Sequence, residues 1–192
     1  MRAFWPVLLV ALALGCADNT HEEKPIVIET PDGAFQAQKR TVDAVPQKIT
    51  VVTGDKLKRL QSLTSQGSDF VAAYLPNIPN PDLKDYDHAF HAWQIAETPR
   101  HTQEQVVESI GGYLGNRLVA DFDMEWVLVT DKDGTDYAVR GKSVEVMAFP
   151  FSTVLKRIED NKHDFLVGVY HIVKQMQNSG DYKSRTPKTP TP

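Results

Sequence analysis

Two histidines in one predicted helix are the first side chains whose type and spacing could support chemistry. His88 and His91 follow Asp87 and lie three residues apart, a spacing at which helical side chains can reach one metal ion. No further ligand follows at a fixed spacing, because Pro99 separates this helix from His101. Helical periodicity also turns His88 away from the apolar face of the helix. His88 and His91 are therefore weak candidates for a metal site, and we expect no cofactor.

Other patterns that could support catalysis have structural explanations. Asp131, Asp133 and Asp136 surround Gly134, but an EF-hand calcium loop needs ligands at alternate positions with glycine sixth. The Asp-Gly turn of a β-hairpin explains this segment instead. The chain has no G-x-S-x-G motif, and its one cysteine is Cys16. We therefore predict no catalytic residues and a protein that is not an enzyme.

The first sixteen residues have the composition of a segment that directs export. Arg2 precedes an apolar run at residues 4–14 that is too short to span a bilayer, and Ala13-Leu14-Gly15-Cys16 follows. This segment resembles a bacterial lipobox, although Ala13 stands where leucine is more usual. The resemblance implies a signal peptide over residues 1–15 and a lipid on Cys16 that anchors the protein to a membrane. The alternative is an ordinary signal peptide followed by an incidental cysteine.

The residues after the anchor favour the outer membrane of a bacterial cell envelope, on the side that faces the periplasm. Ala17 follows Cys16, whereas an aspartate there would resemble the inner-membrane retention signal of enteric bacteria. Residues 16–46 predict a flexible tether, with a turn at residues 30–33 and a candidate edge strand at residues 26–28. Residues 179–192 are rich in proline and threonine and predict a disordered tail. Residues 47–178 remain for one globular domain.

The charge of that domain limits the kinds of partner it can bind, and its cysteine content limits how it is stabilised. The chain carries 21 basic and 25 acidic residues, and removal of residues 1–15 takes away Arg2 and leaves a net charge of −5. We expect no nucleic-acid partner, because proteins that bind nucleic acid present a basic face. With no second cysteine, the domain has no internal disulfide and depends on packing.

The apolar periodicity of residues 47–178 changes from helical to alternating and back, which predicts a single domain with an α+β fold. We expect an antiparallel three-stranded sheet packed with about four to five helices. The strands are predicted at residues 126–130, 137–140 and 144–149. The helices are predicted at about residues 55–74, with an interruption at Gln66-Gly67, and at residues 83–96, 102–118, 152–158 and 161–176. A capping box, Thr102-Gln103-Glu104-Gln105, opens the third helix.

The predicted helix at residues 102–118 carries side chains that must fit against the sheet. Gly111 and Gly115 flank its apolar stripe, and their missing side chains would let the helix approach the sheet closely. Arg117 falls inside the stripe, where a guanidinium needs a carboxylate partner or a route to solvent. Glu125 and Asp136 are the candidate partners for a structural ion pair.

The domain contains four motifs: Gly111-x-x-Leu114-Gly115-x-x-Leu118, Glu125-Trp126-Val127, Asp131-x-Asp133-Gly134-Thr135-Asp136 and Phe149-Pro150-Phe151-x-x-Val154-x-Lys156-Arg157. Together they resemble a bacterial domain-of-unknown-function family. The resemblance covers about residues 85–176 and implies the same order of helix, glycine, helix, tryptophan strand, hairpin and proline helix. These motifs are structural rather than catalytic, so the resemblance supports the fold and implies no activity.

A binding function is the main expectation. Both faces of the 126–130 strand are apolar, and a three-stranded sheet covered on one side would expose one of them. Trp126, Val127, Val129 and Tyr137 are therefore the candidate interface for an unidentified periplasmic protein. The domain would act as an accessory to envelope assembly or secretion, or as an immunity-type inhibitor of a toxic effector, and the sequence does not separate the two roles.

The enzymatic alternative is a metal- or carboxylate-dependent hydrolase that acts on the cell wall. It requires His88, His91 and an acidic side chain to meet in one cleft.

Overall fold

The computed structural model describes residues 7–8, 26–30, 33–37 and 46–178. Cys16, most of the predicted signal peptide and tether, and the tail at residues 179–192 lie outside these residues. The described helices are α1 (Gly54–Tyr74), α2 (Leu83–Gln94), α3 (Gln103–Asp121), α4 (Pro150–Glu159) and α5 (Leu166–Asn178). The described strands are β1 (Val7–Leu8), β2 (Ile26–Thr30), β3 (Gly33–Ala37), β4 (Lys48–Val51), β5 (Met124–Asp131), β6 (Gly134–Gly141) and β7 (Met147–Ala148). The predicted α+β fold with a single domain is confirmed.

The larger sheet has four antiparallel strands in the order β4-β5-β6-β7, so the prediction of three strands was wrong. The additional strand is β4, which pairs with β5 from Lys48 opposite Thr130 to Val51 opposite Val127. Because β4 precedes α1 and its partner follows α3, this pairing joins segments that are distant in the sequence. Four residues show too little periodicity to mark a strand without knowledge of that partner.

The β5–β6 hairpin confirms the Asp-Gly turn. Asp131 pairs with Gly134, and the backbone N–H of Asp133 donates to Asp131 Oδ1 at 2.9 Å. Gly134 has a φ of 142°, a backbone conformation that favours glycine. In β2 and β3, Thr30 pairs with Gly33, while the two middle residues of the predicted 30–33 turn lie outside the described residues. These two strands and β1 form a separate small sheet, so residues 26–28 form a strand without extending the larger sheet.

Capping side chains set the beginnings of α2 and α3. The Asp82 carboxylate accepts from the backbone N–H groups of Lys84 and Asp85, and the Asp85 carboxylate accepts from the N–H of Asp82. The predicted capping box of α3 is confirmed, because Thr102 Oγ1 accepts from the N–H of Gln105 and Gln105 Oε1 accepts from the N–H of Thr102. These reciprocal bonds satisfy N–H groups that have no partner inside the helix.

Two helices differ from the prediction. α1 continues without interruption through Gly67, where a Cβ atom would lie 2.9 Å from Tyr113 Cβ, so this glycine permits close packing rather than ending the helix. α5 begins at Leu166 rather than near Asn161. Asn161 and Asp164 have φ values of 49° and 59°, which are incompatible with a continuous α-helix through this segment. No helix of the described residues has the length and apolar character needed to cross a membrane.

α3 packs in the core through its glycines and one asparagine. A Cβ atom on each glycine would meet a different neighbour: Leu63 of α1 at Gly112, Phe151 of α4 at Gly111, and the Trp126 ring of β5 at Gly115. The Trp126 indole N–H donates to Asn116 Oδ1 at 2.9 Å, and Asn116 Nδ2 donates to the Leu60 carbonyl at 2.7 Å. Asn116 therefore links α3 to both α1 and β5. The predicted close approach to the sheet is confirmed at Gly115, whereas Gly111 approaches Phe151 of α4 rather than the sheet.

The contact between Gly115 and Trp126 predicts a destabilised Gly115→Ala variant. An alanine inside a helix normally stabilises by about 0.5–1 kcal/mol relative to glycine. Here the new methyl group would overlap the buried indole, and we expect a net loss of about 1–3 kcal/mol. Urea unfolding of the full chain measures the change. Ala120→Ser adds one atom at an exposed position of the same helix and serves as the control. An unfolding free energy for Gly115→Ala at or above that of the parent protein would contradict the proposed contact.

Candidate functional site

His88 and His91, the candidate metal ligands from the sequence, do not form a common site. His88 is exposed, whereas His91 is half-buried and its ring stacks on His163 with 4.0 Å between centroids and 14° between planes. His163 Nε2 lies 3.6 Å from Asp164 Oδ2. Rings stacked in parallel direct their nitrogen lone pairs side by side rather than toward one point. Among the described residues, no group of three or more histidine, cysteine, aspartate or glutamate side chains has a metal-binding arrangement.

The residues predicted to form an open interface lie mostly in the core, which corrects that expectation. Trp126, Val127 and Val129 are 2%, 0% and 3% exposed, and Tyr137 is half-buried. β5 is an inner strand between β4 and β6, and both of its faces are covered. Trp126 belongs to the main core, while Val127 and Val129 pack with Ala138, Phe149 and Met147 in a second, smaller cluster. No open apolar face exists at these positions.

Arg117 does not pair with either carboxylate that the sequence suggested. Its side chain is 49% exposed, and its Nε donates to Asp121 Oδ2 at 2.6 Å one helical turn later. Glu125 pairs instead with Arg140 at 2.7 Å, and Asp136 accepts a hydrogen bond from Ser152. The prediction placed Arg117 too deep in the apolar stripe, because the helix exposes its last turns beside α5.

A surface cleft between α2, α3 and α5 is the candidate functional site. Its volume is about 220 Å³, and it is lined by Asp82, Leu83, Lys84, Tyr113, Arg117, Val167, Tyr170 and His171. We call it the α2–α3–α5 cleft. Of these residues only Arg117 is a predicted site of interest from the sequence, as a member of a structural ion pair. Because the others come from three helices and form no local motif, no sequence signal marks them as a group.

Hydrogen bonds and stacking hold the polar groups of the cleft in place. Asp121 Oδ2 accepts from both Arg117 Nε at 2.6 Å and the Tyr170 hydroxyl at 2.7 Å, which ties α3 to α5. Tyr113 stacks on the buried ring of Tyr86, with 3.6 Å between centroids and 9° between planes. Burial raises the pKa of Tyr113, and burial together with the neighbouring Asp121 raises that of Tyr170. Both phenols therefore remain protonated hydrogen-bond donors at neutral pH.

A buried carboxyl on α2 positions the helix that forms one wall of this cleft. Asp87 is 2% exposed. Its Oδ1 accepts from the backbone N–H groups of Phe165 and Leu166 at 2.9 Å each, and its Oδ2 accepts from that of Val167 at 3.3 Å. These are N–H groups at the start of α5 that the helix itself leaves without a partner. The sequence marked Asp87 only as a neighbour of His88, since its partners lie 78 to 80 residues away.

Burial raises the pKa of the Asp87 carboxyl to about 7, although the three backbone donors act in the opposite direction. The negative charge of Asp164 adds to the increase. The folded protein therefore holds this proton up to about pH 7, whereas the unfolded chain releases it near the ordinary value of 3.8. The resulting stabilisation is fully present below about pH 4 and is lost as the pH rises to about 7, with a total of roughly 4 kcal/mol.

We predict that Asp87→Asn removes this part of the pH dependence, because an amide does not titrate. Urea unfolding of the full chain at about pH 5 and pH 8 measures the free energy of unfolding of both proteins. The parent should lose more stability than the variant between the two pH values. Asp69→Asn changes an exposed position on α1, and its free energy of unfolding should differ between the two pH values by as much as that of the parent. A constant difference between the parent and Asp87→Asn at both pH values would show that Asp87 does not titrate in this range.

Comparison with protein families found a match to the central part of the chain. Residues 87–170 match the model of a family described as a domain of unknown function (DUF3806). The match extends from Asp87 to Tyr170 and includes Tyr113, Arg117 and Val167 of the cleft. Searches of curated proteins and of solved structures found no match. The predicted resemblance to a domain-of-unknown-function family is therefore confirmed for residues 87–170.

Proposed function

We propose that this protein is an exported lipoprotein whose domain binds another protein in the periplasm through the α2–α3–α5 cleft. A lipid on Cys16 would hold it on the outer membrane, and the domain would act without catalysing a reaction. The cleft replaces the sheet residues as the proposed interface, since Val127 and Val129 are buried.

The observation that carries this proposal is the fixed geometry of Arg117 and Tyr170. Both side chains bond to the same oxygen of Asp121 and line the cleft together with Tyr113. Tyrosine and arginine are enriched among the residues that contribute most to binding at protein interfaces. Their order before binding lowers the entropic cost of forming a complex.

The size of the cleft favours a protein partner over a small-molecule substrate. Pockets for small molecules and cofactors usually measure about 300–1,000 Å³. At about 220 Å³, this cleft has room for one large side chain of a partner. Pockets that accept a single anchoring side chain are common at the centres of protein interfaces.

Two biological roles fit such a module, an accessory to envelope assembly or secretion and an immunity-type inhibitor. The cleft is the same in both, and the identity of the partner separates them. The enzymatic alternative, a cell-wall hydrolase, depends on His88 and His91, and neither residue lines the cleft. The cleft therefore supports binding rather than this alternative.

Site-specific photo-crosslinking tests whether the cleft is the interface. A photoreactive amino acid at Lys84, an exposed residue of the cleft, should crosslink one envelope protein in living cells. The matched position is Lys58 on α1, which is also exposed and lies outside the cleft lining. We expect a crosslinked product that forms at position 84 and not at position 58. The same products at both positions, or none at position 84, would contradict the proposed interface.

Membrane anchoring is tested at Cys16. Cys16→Ser removes the thiol that would carry the lipid, so we expect the full chain to move from the detergent phase to the aqueous phase on partitioning. Ser65→Ala, an exposed change on α1, should leave partitioning unaltered. If Cys16→Ser partitions with detergent as strongly as the parent does, the protein is not anchored through this cysteine.

A further inference from the structure

We propose that the α2–α3–α5 cleft recognises a carboxylate of its partner and that Arg117 is the residue that binds it. This inference rests on the proposed binding function and names the chemistry of the group that the cleft accepts. It follows from the orientation of Arg117, from the engagement of the nearby acidic groups, and from the donors that remain.

Asp121 orients the guanidinium of Arg117. The 2.6 Å bond to Asp121 uses Nε, on the inner edge of the guanidinium, and the Tyr170 hydroxyl is a second hydrogen-bond partner of Arg117. A guanidinium has five N–H donors, so donors of the terminal nitrogens remain for an incoming ligand. Because Asp121 Oδ2 also accepts from the Tyr170 hydroxyl, the carboxylate that holds Arg117 is itself fixed to α5. The terminal nitrogens of a guanidinium match the two oxygens of a carboxylate, which they bind through two parallel hydrogen bonds.

The acidic groups around the cleft already accept hydrogen bonds from the protein. The Asp82 carboxylate accepts from the N–H groups at the start of α2, and the Asp85 carboxylate accepts from the N–H of Asp82. Asp121 accepts from Arg117 and Tyr170. Each of these three carboxylates thus has a structural role. Arg117 pairs with the charge of Asp121, whereas Asp82 and Asp85 keep a negative charge that backbone N–H groups do not neutralise and that also acts on Tyr113.

The remaining polar groups of the lining are mainly donors. They are the terminal nitrogens of Arg117, the Lys84 ammonium group and the Tyr113 hydroxyl, which burial keeps protonated. His171 also lines the cleft. A partner that supplies acceptor oxygens satisfies these donors, whereas a cationic side chain would meet Arg117 and Lys84. Leu83 and Val167 supply apolar contacts for the carbon atoms of the same side chain.

Three small probes test this recognition on the full chain by NMR titration. N-acetyl-aspartate N-methylamide carries a side-chain carboxylate, N-acetylalanine carries a chain-terminal carboxylate, and N-acetyl-asparagine N-methylamide is the neutral control. For ligands with so few atoms we expect dissociation constants in the millimolar range. We expect at least one carboxylate probe to bind about tenfold more tightly than the neutral amide and to shift the resonances of cleft residues. The carboxylate probe that binds more tightly shows whether the partner supplies the carboxylate from an acidic side chain or from a chain terminus.

Variants of Arg117 assign the binding to the guanidinium. Arg117→Met should weaken the binding of the carboxylate probe about tenfold or more. Arg117→Lys retains the charge and can still pair with Asp121, so it should cause a smaller loss of affinity. Arg59→Met is the matched control, because Arg59 is also exposed and also lies 2.6 Å from a carboxylate, that of Glu108. It should bind the probe as the parent does.

Two results would overturn the inference: carboxylate probes that bind no better than the neutral amide, or unchanged carboxylate affinity in a folded Arg117→Met or Arg117→Lys variant. Either result would leave the proposed interface intact if crosslinking at position 84 still captured one protein. Carboxylate binding that depends on Arg117 without a crosslinked partner would instead support recognition of the carboxylate and contradict the protein-binding function.

Discussion

The position of the last helix, α5, depends on the hydrogen bonds between the Asp87 carboxyl and the backbone N–H groups at the start of that helix. Removal of a carboxyl from water is unfavourable, and here three backbone N–H groups at the start of α5 compensate for it. Those N–H groups are themselves buried and would lack partners without Asp87. The bond is therefore mutual: α2 holds α5, and α5 makes a buried acid on α2 tolerable. Because Val167 and Tyr170 reach the cleft from α5, its shape depends on this contact.

α3 provides the second constraint. Its glycines remove the side chains that would separate it from α1, α4 and β5, and Asn116 then joins the Trp126 indole to the backbone of α1. Close packing of this kind leaves little freedom for a helix to rotate or slide. Tyr113 and Arg117 extend from the same helix into the cleft, so the packing that stabilises the core also determines where two of its polar groups lie.

The proposed function follows from this rigidity. The cleft has polar side chains that are ordered before any partner arrives, on helices held by a buried carboxyl and by a tightly packed core. Such preorganisation favours affinity for a chemically defined group, because little conformational entropy remains to be lost on binding. The apolar sheet residues contribute to the domain in a different way, since Val127 and Val129 form a second cluster that packs one face of β5.

The sequence by itself determined the features that depend on neighbouring residues. The α+β order, the hairpin at Gly134, the α3 capping box and the role of Gly115 all follow from local periodicity, turn chemistry and side-chain size. The lipid on Cys16 is also a local inference and stays a prediction. Tertiary structure alone decided which distant segments meet. β4 becomes a strand because β5 pairs with it, Val127 is buried because both faces of its sheet are covered, and Asp87 acts on N–H groups 78 to 80 residues away. Residues of the cleft come from three helices, and their proximity arises from packing that no local pattern encodes.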